Sequence, residues 1–165
     1  MRTTISHFLL VAVDVDKHRF AEPSAFKVAT HRLTIAKWGL REKTKNRKAF
    51  KPGDKVLAYA AGKREFGGHI VGEAEIASVA LPLEHSPAES VDSPTSNSAV
   101  VSEYFVKLKK CKLYEKPVDL RSIKEYLKFV KLPHSLKWGA CLQNGCIRLP
   151  VDDFKLISNL AACAI

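Results

Sequence analysis

Two stretches of this chain share one tripeptide, Lys37-Trp38-Gly39 and Lys137-Trp138-Gly139. The first is followed by seven further cations up to Lys55 and then by an apolar run. A flat ring beside cations suits a partner that is both flat and anionic. A ring stacked on a nucleobase contributes ~1–3 kcal/mol per base, and neighbouring cations attract phosphates in a salt-dependent way. The competing reading makes each tryptophan a plug at a barrel end, because Trp is highly buried on average.

The charge distribution favours the first reading. The 165 residues carry a formal charge of +10. Residues 31–55 hold nine cations (Arg32, Lys37, Arg41, Lys43, Lys45, Arg47, Lys48, Lys51, Lys55) and two acids, Glu42 and Asp54. Seven of the ten net charges therefore fall in one 25-residue block. Clustering of that kind points to an anionic partner, nucleic acid ahead of a membrane surface.

Other chemistry is sparse. There is no P-loop, GxGxxG, GxSxG, HExxH or CxxC. Asp14 and Asp16 stand two apart after an apolar run and could share a metal, but the ligand set is short. They read better as loop caps, so neither metal nor cofactor is expected. His7, His69 and His134 flank apolar stretches and read as packing or hydrogen-bonding groups. Cys111, Cys141, Cys146 and Cys163 lack zinc-site spacing and read as free thiols of a reducing compartment. The N-terminal apolar run is too short to span a membrane, and no later segment reaches that length. A cytoplasmic protein is expected.

The elements that must position these residues follow from periodicity. Residues 6–13 read as a buried strand, and Ser24 or Pro23 opens a helix that runs to Trp38-Gly39, with Gly39 as its stop. Residues 51–54, KPGD, form a turn. Strands follow at 55–62 and 69–81, joined through KREFGG, and Gly72 marks a bulge or a close backbone approach. The Ser/Pro-rich stretch 82–100 reads as a flexible excursion within one domain, 1–165. Residues 103–115 alternate, with Tyr104, Val106 and Leu108 on one side and Phe105, Lys107 and Lys109 on the other, giving a strand with one wet, basic face. Residues 118–130 read as helical, 146–150 as a short strand and 151–164 as a closing helix. There is no βαβ rhythm, so the expectation is an α+β fold. Its sheet is mostly antiparallel and curled into a small barrel with flanking helices.

An ordered set of motifs resembles the EVE domain: Trp38-Gly39-Leu40, Asn46, Phe50-Lys51-Pro52-Gly53-Asp54-Lys55-Val56-Leu57-Ala58-Tyr59 and Ile70-Val71-Gly72-Glu73-Ala74-Glu75-Ile76. The set continues with Pro117-Val118-Asp119-Leu120, Leu127-Lys128-Phe129-Val130, Lys137-Trp138-Gly139, Leu149-Pro150 and Asp153-Phe154. The resemblance covers the chain from Phe8 to about Ile157. It implies a PUA-like barrel related to YTH domains, which hold a methylated adenine in an aromatic cage. It also implies recognition of a modified base in DNA or RNA, with modified cytosine the usual candidate.

Matched position by position, the resemblance makes Trp38, Gly39, Leu40, Asn46, Tyr59, Phe129 and Trp138 a base pocket. His7 and Phe8 stand where aromatic residues are usual in the family. Arg41, Lys43, Lys45, Arg47 and Lys48, with Lys63 and Arg64 in the hairpin, would hold phosphates. The expected protein is thus a non-enzymatic, monomeric nucleic-acid-binding module. Some PUA-like proteins resemble amidohydrolases of acylated cytidine, so an enzyme using Lys37, Thr34 and Glu73 or Glu75 is the alternative. A third reading is a module that docks an acidic protein through residues 41–55.

Overall fold

A computed structural model describes residues 4–13, 24–41, 43–82, 103–130 and 145–163. Among the described residues, seven strands and three helices fold as β1 (His7–Val13), α1 (Ala25–Ile35), β2 (Lys37–Leu40), β3 (Lys55–Ala61), β4 (His69–Ile76), β5 (Leu81–Pro82), β6 (Tyr104–Asp119), α2 (Leu120–Ile123), β7 (Cys146–Arg148) and α3 (Val151–Cys163). Single 3-10 turns cover Arg47–Ala49 and Lys124–Tyr126. The sheet runs β2-β6-β4-β3-β1-β7, with β5 added to β6. Among the described residues, β1 and β3 pair in parallel and the other pairings are antiparallel. The result is the expected α+β architecture, a curled half-barrel with helices packed on both sides.

Both faces of β1 are covered, which explains its unbroken apolar run. Phe8, Leu10 and Ala12 enter an inner core with α1 residues Ala25, Val28, Ala29 and Leu33. Leu9 and Val11 enter an outer core with Phe154 and Ile157 of α3. The helix α1 is capped by Ser24, whose Oγ accepts the Lys27 N–H at 3.3 Å.

Three boundaries differ from the expectation. Helix α1 stops at Ala36, which takes the left-handed conformation at φ 57. Gly39 does not stop it. The chain turns early because Trp38 is needed in a strand, opposite Val106. Strand β4 ends at Ile76, where Ala77 donates to the Lys107 carbonyl and Ser78 Oγ accepts the Lys107 N–H. Helix α2 is one turn long. Strand β6 runs on to Asp119 through pairs with Ile70 and His69, and downstream the buried Asp153 carboxylate accepts the N–H groups of Lys128 and Phe129 at 2.9 and 2.8 Å. Those backbone donors are thereby drawn out of a helix.

Gly72 meets both expectations set for it. Pairing shifts around it, and an added Cβ would lie 2.4 Å from the Lys112 carbonyl oxygen. Among the described residues, no helix is long and apolar enough to cross a membrane.

Candidate nucleic-acid interface

The cation-rich loop is pinned at both ends. Before it, Trp38 and Leu40 are buried in the inner core. After it, Phe50 is buried and packs edge-on against Phe8 at 5.0 Å. The KPGD turn is locked by the buried Asp54 carboxylate, which accepts from the N–H groups of Lys51 and Ser6, both at 3.0 Å. Between these anchors the loop folds on itself. Thr44 Oγ1 accepts the Arg41 N–H at 2.9 Å, and the Arg41 carbonyl accepts the Thr44 N–H at 3.0 Å. Asn46 takes a left-handed conformation at φ 62 and opens the 3-10 turn. Asparagine tolerates that backbone because its short side chain can bond locally.

The loop lies where the half-barrel fails to close. Strands β2 and β7 end the sheet. Asn46 Nδ2 reaches across to the Cys146 carbonyl on β7 at 3.5 Å. Gly145 backs onto Thr44, for a Cβ there would sit 3.6 Å from Thr44 Cγ2. An open depression of about 430 Å³ occupies this seam, lined by Thr44, Asn46, Arg47, Lys48 and Ala49.

Arg47 is the most informative residue in it. Its guanidinium lies 3.9 Å over the Tyr104 ring. Its Nε is buried without a hydrogen-bond partner among the described residues. Ala49 and Tyr104 pack on the cluster that contains Phe8, Trp38, Leu40 and Phe50. A guanidinium stacked on a ring at the depression suits a phosphate or the acceptor edge of a base. The Cys146 thiol beneath is pushed up to about 12 by burial and stays neutral at physiological pH, so it offers no nucleophile.

The sheet divides the residues expected to form one pocket. Phe8, Trp38 and Leu40 lie on the inner side, and Trp38 is 1 % exposed with the Arg32 guanidinium 5.0 Å from its ring. Tyr59 is buried in the outer core, and Phe129 packs against that core. His7 packs in a tilted contact on Phe154 of α3, with ring centroids 4.8 Å apart. Gly39 pairs with Phe105 on the ladder. Trp138 lies outside the described residues, as do Asp14, Asp16 and residues 83–100.

Of the expected phosphate ligands, Arg41, Lys43, Lys45, Lys48 and Lys63 are exposed, while Arg47 and Arg64 are half-buried. Lys63 and Arg64 belong to the β3–β4 connection, whose Phe66 packs in a tilted contact on Phe26 of α1 at 4.7 Å. Tyr104 and Thr44 escaped the sequence reading as site residues. The alternation of β6 already put Tyr104 on the inward side, but its partner Arg47 is 57 positions away and nothing local announces the pair.

The residues of the enzymatic alternative are committed elsewhere. Thr34 Oγ1 donates to the Thr30 carbonyl at 2.8 Å. Lys37 Nζ lies 5.6 Å from the Phe105 ring. Glu73 accepts from Ser158 of α3, and Glu75 pairs with Lys109 and Lys110.

The EVE domain family model matches residues 20–160. The chain belongs to the EVE domain family. Its fold is shared by solved structures of low sequence identity. A hypothetical protein from Leishmania major is 18% identical, with 96% of each chain covered and a TM-score of 0.60. Human THYN1 protein, in complex with 5-methylcytosine-containing DNA, is 16% identical over 94% of this chain and 97% of that one, with a TM-score of 0.59. The YTH domain of Zygosaccharomyces rouxii MRB1 protein, in complex with N6-methyladenosine RNA, is 13% identical over 98% of this chain and 90% of that one, with a TM-score of 0.55. These likenesses show the shared fold. No curated protein matches the chain.

Proposed function

We propose that this protein is a non-enzymatic reader of a modified base, cytosine or adenine, in nucleic acid. The observation that carries the reading is the Arg47–Tyr104 stack beside Asn46 in the open seam between β2 and β7. In this reading an everted base enters the depression. Asn46 donates and accepts at the base edge, and Arg47 contacts either that edge or its phosphate. Phe8, Trp38 and Leu40 form the packed layer behind, while Arg41, Lys43, Lys45 and Lys48 hold the flanking phosphates. Two solved proteins of the same fold, crystallised with methylated DNA and methylated RNA, support the ligand class.

Everting a base costs a few kcal/mol in a duplex and less in a single strand. One buried methyl contributes ~0.8 kcal/mol, so selectivity from the methyl alone is about fourfold. A greater ratio requires that the unmodified base leave polar groups unpaired.

The test is titration of labelled DNA and RNA oligonucleotides, each with and without 5-methylcytosine or N6-methyladenine. The informative variant is Asn46→Gly, because glycine keeps the left-handed backbone. It is expected to lose the preference for the modified probe while retaining salt-sensitive binding. A parent protein with no preference for any modified probe refutes the reading.

A further inference from the structure

The outer face of β6 changes character along its length. At Tyr114 and Val118 it packs in the outer core with Phe154 and Ile157 of α3. Nearer its start, Lys107, Lys109, Lys110 and Lys112 are exposed. A solvated strand face has to be polar, and the exposed charges on this stretch of β6 are all lysines, set against the Glu75 carboxylate of β4. Three features go beyond solvation.

Lys37 on β2 stands directly opposite Lys107 on β6. Like charges in that position work against the sheet. Next, Lys110 takes a left-handed backbone at φ 52, although it is not glycine. Successive side chains on a regular strand alternate faces. The kink breaks the alternation, and Lys109 and Lys110 both reach the Glu75 carboxylate, at 3.3 and 3.5 Å. Two ammonium groups thus share one carboxylate. Strain of this kind persists where surroundings over-determine it and collects at functional positions. Finally, the half-buried Phe105 ring is part of the same strand, with Lys37 Nζ 5.6 Å from its centre.

We propose that Lys37, Lys107, Lys109 and Lys110 form a second docking face, one that holds the phosphodiester backbone of nucleic acid. The proposal rests on the nucleic-acid reading above and adds a surface separate from the base-reading depression. Trp38 and Val106 face the inner core, while the neighbouring Lys37 and Lys107 lie on the opposite side of the same ladder. A face built of point charges reads no sequence and no modification. It therefore sets affinity and salt dependence and leaves selectivity to the depression.

The experiment compares the parent chain with a Lys107→Gln, Lys109→Gln, Lys110→Gln triple variant. Binding to unmodified and 5-methylcytosine duplex DNA is followed across a salt series. Each lost phosphate contact lowers the log–log salt slope by about 0.9, so a drop of about 2–3 is expected. Both probes weaken by the same factor, and their ratio is unchanged. An unchanged slope, with selectivity intact, overturns this proposal alone. A reduced slope in a protein that never distinguished the probes upholds this face and removes the base reader.

A single variant guards against trivial misfolding. Lys110→Gly relieves the left-handed strain and is expected to raise the melting temperature by about 2–4 °C or more. It is also expected to lower the salt slope by about 1. A Lys110→Gly chain that keeps the parent slope counts against the proposal. Preference for a polyglutamate peptide over every oligonucleotide overturns it in favour of an acidic protein partner.

Discussion

The two cores on either side of the sheet are built alike and end differently. The inner one gathers Phe8, Trp38, Leu40 and Phe50 around α1 and reaches the surface at the seam, where Tyr104 and Arg47 stack over an open depression. The outer one gathers Leu9, Tyr59, Tyr114 and Phe154 under α3, with Phe129 against it. There the buried Asp153 carboxylate clamps the chain that follows α2. Both cores hold aromatic residues, and among the described residues the inner one comes to the surface at the depression. The difference lies in what borders each core. The inner one meets an unclosed barrel edge, whereas the outer one meets a helix whose first turn binds the adjoining segment. Aromatic content alone does not make a site, and what sets the inner core apart is the open barrel edge that it borders.

The comparison can be broken most forcefully at Trp38. Trp38→Ala removes a fully buried ring and is expected to cost about 3–5 kcal/mol, read as a shift in the urea midpoint. Binding should then fall on modified and unmodified probes together, in step with the folded fraction. A stable Trp38→Ala protein that loses only modification selectivity would give the ring a direct contact with the base. Asp153→Ala attacks the other core. It strips the Lys128 and Phe129 N–H groups of a charged acceptor and is expected to cost on the order of 3 kcal/mol. Folded Asp153→Ala protein should keep the parent preference among probes, because the clamp belongs to the side away from the depression. Loss of that preference at full folding would join the two cores into one site.

The smallest effect sharpens the same contrast through pH. Burial lowers the His7 pKa, with Lys55 adding to the shift. The folded state therefore binds the imidazole proton less readily than the unfolded chain. Stability from this group is complete above the unfolded value near 6.5 and is lost as pH falls through the lower folded value. His7 is only half-buried, so the expected loss between pH 7 and 5 is less than about 1 kcal/mol. Urea midpoints across that range should fall with acid in the parent and stay flatter in His7→Phe. Equal slopes in the two proteins would remove His7 from the pH response.

Much was legible before folding. The strand patterns, the KPGD turn, the Gly72 irregularity and the clustered charge are local properties, set by a residue and its near neighbours. The run HFLLVAV reads as a buried strand from its short apolar, β-branched composition, and the cations between Arg41 and Lys55 read as a clustered basic surface. The order of motifs carried the family, and the family carried the fold. The helix end at Ala36 was not legible, because glycine is the better residue for that backbone and tertiary demand for Trp38 in a strand overrode the preference. The shortening of α2 has the same origin, since Asp153, 25 positions beyond Lys128, takes that residue's backbone N–H.

The division of the aromatic residues was decided by tertiary structure alone. Neighbours on a strand point to opposite faces, so the step from Phe8 to Leu9 changes core, and Tyr59 enters the outer core while Ala58 and Ala60 face the inner one. Which side meets the open seam depends on strand order and on where the barrel stops closing. Those are long-range pairings, and no local pattern in the chain encodes them. The stack of Arg47 on Tyr104 and the doubled lysines at Glu75 arise in the same way, from segments distant in sequence that meet only when the sheet is assembled.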